Sequence, residues 1–395
     1  MDDPVVITGI GVLSALGVGV EETAAALREG AGALAPSERG RPPEGATPLA
    51  GEVPPFRLEE FVPSPKAYLD RNSELLLAAC GLALRHAGLD PAALAPERSG
   101  ILVGTAWSGQ DTMSAFFADY VQKGPRLVKP FLFPHAYFNT AVSLAAIEWS
   151  LRGPHQAFAS GRAAAAQALI EAHDLLADGE ADVLLAGGCE ALGPALVRAL
   201  AALGWLAPAS QTAGPRVFDR RRDGLVPGEA GAVLVFERAS RAQARGAPPL
   251  AVFRGGAYGA VPDVADAASA ACRQALDAAG VAPGDLALVC ASANGFGPLD
   301  DGEAEALRRV LGGAAVPVCA PAALCGDTQG ACAALHAALS LLLRADGRVP
   351  PVPGLETPAR PGPAFVTGAP AAVRPGPVLV LAADPAGSAA AFVLG

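Results

Sequence analysis

The stretch Phe158-Ala159-Ser160-Gly161-Arg162-Ala163-Ala164 decides how this chain is read. It runs on as an alanine-rich helix through Leu176, then into the strand Ala181-Asp182-Val183-Leu184-Leu185-Ala186, which ends in Gly187-Gly188-Cys189-Glu190. A short strand that delivers a residue to the first turn of a long helix normally presents a nucleophile. The helix N-terminus stabilises a developing anion there. The residue presented here is Arg162, whose guanidinium stays protonated and cannot attack anything. That mismatch is the central question the sequence poses.

The bulk numbers narrow the classes. The 395 residues are 51% hydrophobic and 17% charged, a globular composition able to bury a large core in one domain or two halves. A net charge of −10 gives no support for nucleic-acid binding or a polybasic membrane patch. No apolar run reaches the ~18–20 residues of a membrane span. Met1-Asp2-Asp3-Pro4 leads into Val5-Val6-Ile7-Thr8 without a basic n-region, so no signal peptide is expected. The seven cysteines are scattered, with no Cys-x-x-Cys pair, and read as buried reduced thiols of a cytoplasmic protein. No metal or cofactor is called for. Gly9-Ile10-Gly11 lacks the third glycine of a dinucleotide loop.

Strands and helices alternate along the chain. Val5–Ile10 reads as a buried strand, 32–66 as a Pro- and Gly-rich surface excursion, and Ser73–Ala87 as a helix capped by Asn72 or Ser73. Strand Ser99–Thr105, helices Gln110–Val121 and Ala141–Leu151, the central stretch, helix Pro194–Leu203 and strand Ala232–Glu237 complete the first half. The second half repeats the rhythm: strand Leu250–Arg254, helix Val264–Ala279, strand Ala287–Ala291, helix Glu303–Leu311, strand Val316–Cys319 and helix Gly330–Arg344. A Pro-rich stretch, 349–376, precedes strands Val378–Ala382 and Ala390–Leu394. Continuously apolar strands between helices imply sheets covered on both faces, a layered α/β fold built from two duplicated halves, 1–238 and 239–395.

Several stretches together resemble the β-ketoacyl synthases of the thiolase superfamily. They are Val5 to Gly11, Gly179-Glu180-Ala181-Asp182-Val183 before Ala186-Gly187-Gly188, and Phe218-Asp219-Arg220-x-Arg222-Asp223-Gly224-x-Val226-x-Gly228-Glu229-x-Gly231. Gly347-Arg348-Val349-Pro350-Pro351 with Leu355-Glu356-Thr357-Pro358 also belongs to the set. Their order and spacing cover essentially the whole chain. The resemblance implies a five-layered αβαβα fold and an obligate dimer. It also implies a mechanism in which a cysteine takes an acyl group from an acyl carrier protein. Two histidines, the second supported by a lysine, then assist decarboxylative condensation.

The catalytic set implied by the resemblance is absent. The nucleophile position falls on Arg162, where the family reads Thr-Ala-Cys. The first histidine, from Asn-Ala-His-Gly-Thr, is Asn294 in Ser292-Ala293-Asn294-Gly295-Phe296. The second, from Lys-x-x-x-Gly-His, is Asp327, with Ala322 in place of the lysine. The C-terminal Gly-Phe-Gly-Gly-Thr-Asn loop has become Asp384-Pro385-Ala386-Gly387-Ser388-Ala389. None of the five histidines (86, 135, 155, 173, 336) holds a site position, and His86, His173 and His336 read as ordinary surface or packing residues.

This pattern resembles the chain length factor, the non-catalytic partner of an active ketosynthase in type II polyketide systems. There the growing chain crosses a heterodimer interface into a tunnel partly lined by the degenerate subunit. Known chain length factors often carry glutamine where this chain has Arg162, so a decarboxylase role linked to that glutamine is not implied here. Gln110, Met113 and Phe117 share one helix face and fall, by register, where such subunits place their gates, against the alternative of plain packing. Phe116, Tyr137 and Phe138 are further tunnel or interface candidates. The implied partners are the catalytic ketosynthase subunit and, mainly through it, an acyl carrier protein and its phosphopantetheine-bound chain. The product, an aromatic polyketide or a reduced polyene, is not encoded in these side chains.

Three further readings stay open. Arg162 pairs with Asp327, pairs with Asp384, or reaches solvent or a partner. New chemistry on the old scaffold would use Ser160, Cys189 or Cys325. A homodimeric degenerate ketosynthase would bind or transfer acyl groups without condensation.

Overall fold

The computed structural model describes residues 3–30, 32–41, 47–66, 68–208 and 214–395; Met1, Asp2 and part of the 32–66 excursion lie outside the described residues. Ten strands carry the architecture. In the first half they are β1 (Val5–Ser14), β2 (Ser99–Gly104), β3 (His155–Phe158), β4 (Val183–Glu190) and β5 (Ala230–Arg238). In the second they are β6 (Ala251–Ala260), β7 (Leu288–Cys290), β8 (Pro317–Cys319), β9 (Val378–Ala383) and β10 (Ser388–Leu394).

The spatial order is β3-β2-β4-β5-β1 and then, for the second half, β8-β7-β9-β10-β6. These are the same permutation five strands apart. The pairing senses match as well: the outer two pairs of each half are parallel and the inner two antiparallel. The edges β1 and β6 touch through Val6–Val252 and Ile7–Ala251, so the two sheets run into one another. The duplication is therefore visible in topology although the two halves share negligible residue identity.

Eight helices complete the layers: α1 (Arg71–His86), α2 (Gln110–Lys123), α3 (Thr140–Glu148), α4 (Ala164–Ala177), α5 (Pro194–Ala202), α6 (Val264–Ala279), α7 (Gly297–Leu311) and α8 (Cys332–Asp346). Helices α1 and α3 cover the outer face of the first sheet, and α6 and α7 that of the second. Helices α4 and α8 lie between the sheets and touch both. The result is a five-layered αβαβα stack. Its central layer is alanine-rich because each helix there must fit against two sheets and its neighbour at once; α8 is buried from Cys332 to Leu341 without interruption.

Local details differ from the sequence reading for identifiable reasons. Helix α1 begins at Arg71, and its cap is Asp70 rather than Asn72 or Ser73; the Asp70 carboxylate accepts the Ser73 N–H at 3.0 Å and the Ser73 hydroxyl at 2.6 Å. Helix α7 starts six residues before Glu303, at Gly297, because Pro298 sits in its first turn, where no backbone donor is needed. Strand β6 extends through Gly255-Gly256-Ala257-Tyr258-Gly259-Ala260 because β10 pairs with it along that length. The glycines of β1 serve packing: a Cβ on Gly11 would lie 1.8 Å from the Ala79 carbonyl oxygen of α1. The excursion is not wholly superficial, since Ala50, Gly51 and Val53 are buried.

Candidate functional site

Strand β3 ends at Phe158, and Gly161 turns the chain with φ +64° into the short 3-10 turn Gly161–Ala163 that opens α4. A side chain at Gly161 would both strain this turn and strike the Asp384 carboxylate, 2.5 Å from the ideal Cβ. Arg162 follows and points inward, with only 2% of its surface exposed. Its Nε donates to the Ala383 carbonyl at 2.9 Å. One terminal nitrogen donates to Asp327 Oδ1 and the other to the Ser292 carbonyl. Burial opposes the charge, but Asp327 together with the nearby Cys332 and Glu303 outweighs it, and the guanidinium holds its proton more tightly than usual.

Asp327 is itself fully engaged. Oδ1 also accepts the Gln329 N–H at 3.2 Å, while Oδ2 accepts the Asn294 amide and the Gln329 amide, both at 2.7 Å. Arg162, Asn294 and Asp327, three of the four positions where the resemblance expects catalytic groups, thus meet in one buried network. The fourth, Ala322, is buried in the short helix Ala322–Cys325 and brings no polar side-chain atom.

Asp384 takes a second role. Its Oδ2 accepts the backbone N–H of Arg162 at 3.1 Å, so that amide is already occupied. Its Oδ1 accepts the Ala386 N–H at 2.8 Å and fixes the loop. An amide at this place is what would stabilise an oxyanion on a bound thioester. Here an internal carboxylate holds it, and complements the dipole of α4.

Two buried carboxyls on α7 support the network. Glu303 accepts the N–H groups of Ser292 (3.0 Å) and Ala293 (2.9 Å) and the Ser292 hydroxyl. Burial pushes its pKa up to about 7 against the pull of the Ser292 hydroxyl and the Arg162 charge. Asp300 accepts the N–H groups of Asn294 (3.0 Å), Gly295 (3.1 Å) and Phe218 (2.7 Å), and burial raises it to about 6. Together they shape the loop that supplies Asn294 and the Ser292 carbonyl.

The sequence reading missed Ser292, Gln329, Ala383 and Glu303 as members of this cluster. Ser292 and Ala383 act through backbone carbonyls, which carry no side-chain signal. Gln329 has a left-handed backbone, φ 45°, which its two bonds to Asp327 hold in place. His336 lies buried below; desolvation and the charge of Arg162 lower its pKa to about 3, so it is neutral.

The candidates for new chemistry are quiet. The Ser160 hydroxyl donates to Gln167 Oε1 at 2.6 Å, with no base beside it. Burial raises Cys325 to about 12 and Cys189 well above its usual value, so neither carries thiolate near neutral pH.

Helix α2 is disposed quite differently. Of its fourteen residues only Thr112 is buried. Gln110, Met113 and Phe116 are half-buried, whereas Phe117, Tyr137 and Phe138 are exposed. Phe116 packs tilted against Phe133 at 5.3 Å between centroids, and Phe133 meets Tyr137 edge-to-face at 4.9 Å, an aromatic cluster beside α2.

Comparison with known proteins agrees with this architecture. Residues 2–242 match the N-terminal domain of the β-ketoacyl synthases and residues 250–356 their C-terminal domain. The chain is 33% identical to the tetracenomycin polyketide synthase ketoacyl synthase beta subunit of Streptomyces glaucescens, over 90% of this chain and 89% of that protein. It is 29% identical to 3-oxoacyl-[acyl-carrier-protein] synthase 2 of Staphylococcus aureus over 90% and 88% of the two chains. Among solved structures, a chain of the ishigamide ketosynthase/chain length factor superposes with a TM-score of 0.92 at 27% identity, covering 100% of this chain and 99% of that one. A type II polyketide ketosynthase solved with its acyl carrier protein gives 0.89 at 25% identity, with 100% and 99% covered. With both domains matched in order and the thiolase-like layers in place, the chain belongs to the β-ketoacyl synthase family.

Proposed function

We propose that this chain is a non-catalytic chain length factor. It pairs with an active β-ketoacyl-acyl carrier protein synthase and shapes the tunnel that receives the growing acyl or polyketide chain. The observation that carries the reading is the state of the former catalytic centre. Arg162 fills the nucleophile position with a buried cation, Asp327, itself held by the Asn294 amide, pairs with it, and Asp384 occupies the amide that would bind an oxyanion. Arg162, Asn294 and Asp327, committed to one another, supply neither a nucleophile for a thioester nor an imidazole to protonate an enolate. The two halves, 1–238 and 239–395, are read as one integrated unit.

The partner reading is supported by exposed apolar surface on and after α2: Phe117 is 52% exposed, Val121 79%, Leu127 65% and Phe131 56%. Contiguous apolar surface of this kind marks an interface. The proposed tunnel residues are Gln110, Met113, Phe116, Phe117, Tyr137 and Phe138, with Phe117 as the floor. The acyl carrier protein is reached mainly through the partner, since two acidic surfaces repel.

The second reading is a homodimeric degenerate ketosynthase that binds or transfers acyl groups. It draws on the 29% identity to the Staphylococcus enzyme and on an exposed face that would fit a second copy as well. Expression alone and with an active ketosynthase separates the two. A chain that is insoluble alone and recovered one-to-one with the ketosynthase fits the chain length factor. A stable homodimer that acquires an acyl mass from acyl carrier protein excludes it.

A further inference from the structure

Helix α2 carries the proposed gate but is weakly rooted, with Thr112 as its one buried residue. Beyond the aromatic contact of Phe116 with Phe133, it is fixed by a few polar points near its first turn. One lies before it: Glu190, at the end of β4, accepts the N–H groups of Ala106 (2.6 Å), Trp107 (3.0 Å) and Ser108 (3.2 Å). Another is the Thr112 hydroxyl, 3.1 Å from that of Tyr68. The third is Asp111, whose side chain leaves α2 for the N-terminus of α5. There Asp111 Oδ1 accepts the Ala195 N–H at 3.2 Å.

The seat for that carboxylate depends on Gly193. An added Cβ would stand 1.6 Å from Asp111 Oδ2, and the next nearest atoms, at 2.6 and 2.9 Å, belong to the same carboxylate. Gly193 has an extended backbone, φ −156° and ψ 168°, which any residue adopts. The turn does not demand glycine here, and a side chain at 193 would displace the carboxylate from this seat. Pro194 at the first helical position lacks an N–H, which leaves Ala195 as the first free donor of α5. A carboxylate on that donor is also favoured by the helix dipole.

We infer that Asp111 is a positioning residue for chain-length selection: by docking over Gly193 onto the N-terminus of α5, its carboxylate sets the depth at which α2 presents Met113 and Phe117 to the acyl chain. This deepens the gate reading proposed above and rests on it. Asp111 lies two residues before Met113 and on a different helix face, so it acts through α2 and not by touching the chain. The contact is removable from either side. Asp111→Ala takes away the carboxylate, and Gly193→Ala fills its seat without altering α2.

The test uses the heterodimer with the active ketosynthase, supplied with malonyl-loaded acyl carrier protein, and mass analysis of product lengths. Asp111→Ala and Gly193→Ala should each change the ratio of neighbouring product lengths by at least about threefold. Asp111→Asn, which keeps one acceptor oxygen, should stay near the parent ratio. The double variant should show no more than the larger single effect, because both remove one contact. Phe117→Ala serves as the control for the gate itself. If Phe117→Ala shifts the products while Asp111→Ala and Gly193→Ala do not, the positioning role is overturned and the gate stands. If Phe117→Ala leaves the products unchanged, the gate reading falls and the inference with it. Effects of the two single variants that add in the double also overturn it. Should Asp111→Ala fail to assemble, Gly193→Ala against Asp111→Asn carries the same comparison.

Discussion

Arg162 and Asp327 meet in the buried centre of the molecule across 165 residues of chain, one from each duplicated half. A buried pair of this kind is near break-even against well-packed apolar residues, yet removing one partner strands a charge at a cost of about 3–5 kcal/mol. Asp327→Ala should therefore destabilise the heterodimer by that order, read as a lower urea midpoint. Arg162→Met with Asp327→Leu should recover most of the loss. A double variant no better than Asp327→Ala would show that the pair supplies more than charge balance.

On the proposed reading, placing a cysteine at position 162 should not produce a working nucleophile. In Arg162→Cys the new thiol would lie near the Asp327 carboxylate in a buried site, with neutral Asn294 and Ala322 where the resemblance expects a histidine and a lysine. Both burial and the nearby carboxylate raise a thiol pKa. Intact-mass measurement after exposure to acyl carrier protein should show no acyl adduct on this chain. A stoichiometric adduct would mean that the site is otherwise poised and that the lost cysteine alone silences it.

Much of this was legible in residue order, for physical reasons. Apolar strands buried on both faces read as continuous runs, so the layered fold and the Val264–Ala279 helix followed directly. The Arg162–Asp327 pair was within reach because both residues stand at motif positions that converge in the resembled fold. What stayed hidden depends on backbone atoms or on competition between equivalent residues. The Ser292 and Ala383 carbonyls that receive Arg162 have no residue-type signature. Asp70, Asn72 and Ser73 are all good caps, and only packing selects Asp70. The Asp111 seat escaped because the signal was a glycine 82 residues away from its carboxylate, where no local turn demands one.

Buried carboxyls give the fold a pH dependence opposite to ordinary acid denaturation. Burial pushes Glu190 and Glu303 up to about 7 and Asp300 up to about 6, well above the ordinary carboxylate range. A raised folded value means that the native state binds the proton more tightly. Their contribution is complete below about pH 4 and is lost as pH rises through 6 to 7, on the order of 1–3 kcal/mol per group. The urea midpoint of the heterodimer should fall between pH 5 and pH 8, and Glu303→Gln should flatten that slope. A midpoint that rises over this range would contradict the burial argument.

Phe117 decides whether the exposed helix is a gate. Its ring is half exposed in this chain and lies edge-on to Phe116 at 5.7 Å, so it is held by one aromatic neighbour and faces the surface a partner would cover. Truncation there removes little from the core of this subunit, and the heterodimer should still form. If the ring closes the tunnel, Phe117→Ala opens room of about a benzyl group, and the main product should lengthen by one or more extension units in mass analysis. If instead the ring only packs against the partner, the variant should weaken assembly, by about 2–4 kcal/mol for a buried aromatic anchor, and leave product length unchanged. The two outcomes differ in which quantity moves, so product mass and heterodimer yield measured on the same preparation separate a gate from an interface anchor.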